Sequence, residues 1–119
     1  MDAALAQNQA DELEEEDGFD LANILPEDTG LSMVVWISDG QGVRHDVRVK
    51  ISEEHGSRVR TDRWAVMSVR PTPELIHGDL SSRDVDAVRR WILLNEPVIM
   101  AYWQGELATK LMLNAIQPI

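Results

Sequence analysis

Nine successive residues alternate without a break. Val43, His45, Val47, Val49 and Ile51 occupy one side, and Arg44, Asp46, Arg48 and Lys50 occupy the other. A period of two belongs to a β-strand, and this one predicts a buried face backed by a wet, mostly cationic face. Upstream, the β-branched and aromatic run Met33 to Ser38 stops at Asp39-Gly40-Gln41-Gly42, the signature of a strand followed by a hairpin turn. Downstream, a turn at Glu53-Glu54-His55-Gly56-Ser57 leads through Arg58-Val59-Arg60 to another strand over Trp64 to Val69. Glu74 to His77, set off by Pro71 and Pro73, reads as a short edge strand.

At Leu80 the period changes to that of a helix. Ser81 suits an N-cap, Asp84 stands at the reciprocal capping position, and Leu80 with Val85 suits a hydrophobic staple. Val85, Val88, Trp91, Ile92 and Leu94 then recur as one apolar stripe. Asn95-Glu96-Pro97 is expected to stop this helix and open a second, Val98 to Gln104, because proline fits a first turn. A short third helix is expected over residues 107 to 114, followed by an extended tail. Strands first and helices afterwards predict an α+β fold: a small antiparallel sheet of three or four strands, packed on one face by a C-terminal helical pair.

Charge divides the chain in two. The formal net charge is -10, and ten acidic residues lie within the first thirty positions: Asp2, Asp11, Glu12, Glu14, Glu15, Glu16, Asp17, Asp20, Glu27 and Asp28. No Lys or Arg stands among them. The rest of the chain is electrically balanced, so the sequence predicts an acidic, flexible leader over residues 1–30 and a single α+β domain over 31–119. Residues 2–17 favour helix by propensity, but Glu14 to Asp17 oppose the helix dipole at its end. Phe19, Leu21, Ile24 and Leu25 form an apolar cluster inside this acidic stretch. They suit either a segment packed across the domain edge or an acidic-hydrophobic partner motif.

Composition excludes several chemistries. With Cys absent, disulfides, thiolate zinc sites and cysteine nucleophiles are ruled out. Four Trp residues, Trp36, Trp64, Trp91 and Trp103, are many for so small a body, and most are expected in the core. Trp64, beside Asp62 and Arg63, is the best candidate for an exposed one. No basic segment followed by an apolar run opens the chain, and the longest apolar stretch, Val98 to Trp103, falls far short of a membrane span. A cytoplasmic protein without membrane contact is expected.

Seven basic residues, Arg44, Arg48, Lys50, Arg58, Arg60, Arg63 and Arg70, gather between positions 44 and 70, opposed there by Asp46, Glu53, Glu54 and Asp62. Such a cluster suits three roles: a solvated strand face, an anion- or nucleic-acid-binding face, or an internal dock for the acidic leader. The binding residues expected from it are Arg44, Arg48, Lys50, Arg58, Arg60 and Arg63. His45 and His77 are placed to approach each other across the sheet, with Asp39 or Asp79 near, but no metal-ligand spacing is present. Neither metal nor cofactor is expected. His45 beside Arg44 and Arg48 offers an enzymatic alternative, a weak ribonuclease or toxin with an imidazole base and guanidinium groups on the phosphate. Serine-hydrolase elbows and phosphate-binding loops are both missing.

The segments Glu74-Leu75-Ile76-His77-Gly78-Asp79-Leu80 and Val88-Arg89-Arg90-Trp91, then Trp103 and the closing Ile116-Gln117-Pro118-Ile119, resemble the small bacterial proteins classed as domain of unknown function 4160, over residues 33–119. Asp39 and His45 match positions of that family's Asp and first His, while Asp46-Val47 replaces its aromatic residue and second His. The resemblance implies the fold, a bacterial source and a place beside a small partner protein in a toxin–antitoxin-like gene pair. The function expected is thus a non-enzymatic interaction module: a cationic strand face meets an acidic protein or nucleic acid, and the leader docks on that face when the partner is absent. A homodimer through the helical pair is a further possibility.

Overall fold

The computed structural model describes residues 21–40, 44–59 and 62–119. Five strands, β1 (Leu21–Ile24), β2 (Val35–Ser38), β3 (Arg48–Ser52), β4 (Trp64–Ser68) and β5 (Leu75–His77), form one antiparallel sheet in chain order. A single turn, α1 (Pro26–Thr29), joins β1 to β2, and helices α2 (Ser82–Trp103) and α3 (Thr109–Ala115) follow the sheet. The α+β arrangement of strands followed by a helical pair is therefore present, with five strands rather than three or four.

Register sorts the strand residues into two faces. Ala22 opposes Ile37, which opposes Val49, which opposes Met67; Ile24, Val35, Ile51 and Ala65 form the next such row. These side chains face the helices. Their partners in the core are Val88, Trp91, Ile92, Ile99 and Tyr102 of α2 and Met112 of α3. Trp91 is fully buried there, and Trp103 packs half-buried at the margin of the same core.

Three expectations need correction. The domain does not begin at residue 31. Leu21–Ile24 pairs with β2 along its whole length, and Ala22 and Ile24 belong to the core. An acidic setting and the nearby Pro26 disguised a strand in which exposed Asn23 stands between buried Ala22 and Ile24. The turn after it is also built in, because Thr29 accepts a hydrogen bond from the Ile119 amide at 2.8 Å. A Cβ at Gly30, whose φ is 80°, would collide with the Ile119 backbone. The remainder of the acidic leader, including Phe19, lies outside the described residues.

Second, Pro97 does not divide the helix. It lies inside the continuous α2. Proline deprives the Leu93 carbonyl of its donor, but Leu93 and Pro97 lie on the exposed side, where water can replace that bond. On the buried side Asn95 holds the turn in place. Its amide nitrogen donates to the Trp91 and Gln117 carbonyls at 3.0 and 2.9 Å, and its oxygen accepts from the Gln117 amide at 2.8 Å.

Third, of the described residues in the alternation at 43–51, only those from Arg48 onward form a strand. Val47 is buried and packs in the core, whereas Arg44 and Asp46 are exposed outside the ladder. The cap forms at the expected place, with the Asp84 amide donating to the Ser81 hydroxyl at 3.1 Å. The Asp84 carboxylate is engaged by His55 Nε2 at 2.8 Å.

Candidate interaction surface

The sheet face turned away from the helices carries the residues of interest. Antiparallel pairing sets Trp36 opposite Lys50, Lys50 opposite Val66, and Val66 opposite His77, so the four form one row across β2 to β5. Arg48 with Ser68, and Ser52 with Trp64, flank that row on the same face. Strand period alone places them there, since each lies one residue from a core side chain. Lys50 leans along β4, and its Nζ stands 5.0 Å from the centre of the Trp64 ring. A cation over an aromatic face is attracted by the ring quadrupole, more strongly where water is excluded.

The expected wet cationic face is not what forms. Lys50 is only 4% exposed, as are Trp36 and Val66 beside it, and Arg48 is half-buried. The alternation located the right side of the strand but misjudged its surroundings, because a charged residue in a pattern is read as solvated. Nor do the other basic residues collect on this face. Arg44 and Arg58 are exposed outside the strands, and Arg60 lies outside the described residues. Arg63 Nε stands 3.6 Å from Glu53 Oε1, with most of its side chain in solvent. Of the residues expected to bind, Arg48 and Lys50 share the face.

Arg70 is spent inside the domain. Its Nε and terminal nitrogen donate to Asp46 Oδ1 at 3.1 and 2.7 Å, and Nε also reaches Oδ2 at 2.9 Å. These hydrogen bonds hold the Asp46 carboxyl below the ordinary aspartate value and push the Arg70 guanidinium up in turn.

At one end of the face Glu53, Asp62, Arg63, Trp64 and His77 line a pocket of about 300 Å³. Glu53 is fixed there by the Asp79 amide, which donates to its Oε2 at 2.7 Å. His77 joins this pocket, while His45 lies elsewhere and is not on a strand. Its ring stacks on Trp103 of α2, with centroids 5.8 Å apart, and its Nδ1 stands 2.7 Å from the Asp46 carbonyl. A carbonyl only accepts, so Nδ1 carries the hydrogen in that bond. The two histidines are thus not brought together. Among the described residues, no group of three His, Asp or Glu side chains is placed to hold a metal, and no helix is long and apolar enough to cross a membrane.

Trp36 and Trp64 are the residues of this surface that the basic-residue pattern did not reveal. Strand phase carried the signal: both share the parity of Lys50 once the register is known. Comparison with family models, curated proteins and solved structures finds no match to this chain.

Proposed function

We propose that this domain is a non-enzymatic interaction module whose sheet face opposite α2 and α3 receives an acidic, partly apolar segment. The observation that carries this reading is Lys50 seated over Trp64 in the middle of that face, between Trp36 and Val66 and beside Arg48. Cation and aromatic side chains intermixed in this way offer opposite charge to carboxylates and apolar contact to the residues between them. A protein segment suits the face better than nucleic acid does, because a chain of net charge -10 repels a polyphosphate backbone at long range. If the resemblance to domain of unknown function 4160 extends to gene organisation, the partner is the small protein encoded alongside, in a bacterial cytoplasm.

Fluorescence anisotropy of a labelled peptide built from Glu-Glu-Phe units, titrated with the full chain, tests this reading. Binding is expected at low salt, to weaken as salt screens it, and to fall in Lys50→Met and Arg48→Ser variants that retain the circular dichroism of the parent. Undiminished binding by both variants, or tighter binding to a single-stranded RNA homopolymer, would remove the basis for it.

A further inference from the structure

Trp36, Lys50 and Val66 are buried, yet none of them belongs to the core that the helices cover. Side chains of α2 and α3 fill the opposite face, and the turn α1 leads into Leu31 and Met33, which also join that opposite core. An indole on an uncovered sheet keeps its outer surface in water, since neighbouring strand residues shield only its edges. The described helices do not account for that burial. Among the segments outside the described residues, 41–43 and 60–61 have too few residues to cross the row. Residues 1–20 do not.

That segment joins the sheet directly at Leu21, the first residue of β1. The row lies on β2, β3 and β4, the next three strands, at roughly 4.8 Å per strand, and twenty residues reach about 30 Å even when wound as a helix. Its chemistry is complementary. Asp2, Asp11, Glu12, Glu14, Glu15, Glu16, Asp17 and Asp20 supply carboxylates with no base among them, and Leu5, Leu13 and Phe19 supply apolar groups. A buried ammonium requires negative charge nearby, and buried indoles require apolar cover.

We propose that residues 1–20 lie over the sheet face opposite α2 and α3 as an occupant in cis, carboxylates toward Lys50 and Arg48 and apolar residues toward Trp36 and Val66. An acidic partner then has to displace them, a regulatory consequence that rests on the interaction-module reading.

The absence of Cys allows a clean test in the full chain. A nitroxide on Gln9→Cys should broaden the indole N–H resonances of Trp36 and Trp64 more than that of Trp91, which lies beyond the sheet, and the bias should vanish at high salt. Equal broadening of these indoles, or none, overturns the proposal. A second full-length variant, with Asp11, Glu12, Glu14, Glu15, Glu16 and Asp17 changed to Asn or Gln, separates the two readings. It should bind the Glu-Glu-Phe peptide about tenfold more tightly than the parent, because the competing segment is weakened. Equal affinity in parent and variant defeats occupancy in cis but leaves the module standing. Selective broadening with no peptide binding by either protein supports occupancy in cis and defeats the module.

Discussion

Asp46, two residues before β3, and Arg70, two residues after β4, join these connections through a bidentate pair on the surface. Because the folded-state pKa of Asp46 lies below its unfolded value, the pair's contribution is complete above the unfolded value and is lost as pH falls through the folded one. A carboxyl-detected NMR titration should find Asp46 titrating below other exposed aspartates, and Arg70→Ala should return it to the ordinary range. Trp91 is a different case, since it is fully buried between α2 and the sheet. Trp91→Ala should cost about 3–5 kcal/mol in urea unfolding, much of what a domain this small has available.

At the scale of elements, α2 is one helix with two unequal sides around residue 95. Pro97 lacks an amide on the exposed side, whereas Asn95 makes three hydrogen bonds on the buried side. Pro97→Ala should therefore stabilise the protein, by about 1–3 kcal/mol if the Leu93 carbonyl regains its donor. Asn95→Ala should destabilise it by about 2 kcal/mol, as the Gln117 backbone loses its partner. Sequence reading anticipated much at this level: the change of period at Leu80, the Ser81 cap, and the strands around Trp36 and Trp64 follow from spacing and local chemistry. It did not anticipate β1, whose four residues have little periodicity to show and whose role depends on pairing with β2. Nor did it anticipate the unbroken α2, where the cost of proline depends on which side of the helix faces solvent.

For the whole molecule, charge segregation was plain in the sequence while its spatial meaning was not. The basic cluster disperses: Arg63 and Arg70 turn to carboxylates of the domain, Arg44 and Arg58 stand apart, and Arg48 and Lys50 remain on one face. No spacing rule foretells that Lys50 meets Trp64, because that contact crosses from β3 to β4 and depends on their register. The domain boundary is also a property of the whole. Ile24 is 1% exposed within the shared core, so Ile24→Ala should lower stability by about 2–5 kcal/mol, a loss that a solvated leader would not produce.

Every strand of the sheet neighbours the strand next to it in sequence, and α2 comes after all five. During synthesis such a meander can assemble hairpin by hairpin as it leaves the ribosome. Val35, Ile37, Val49, Ile51 and Met67 would then form an oily surface before Trp91 and Ile99 have emerged. A chain truncated after Gly78 and released should accordingly recruit chaperones or aggregate, whereas the full-length chain should not.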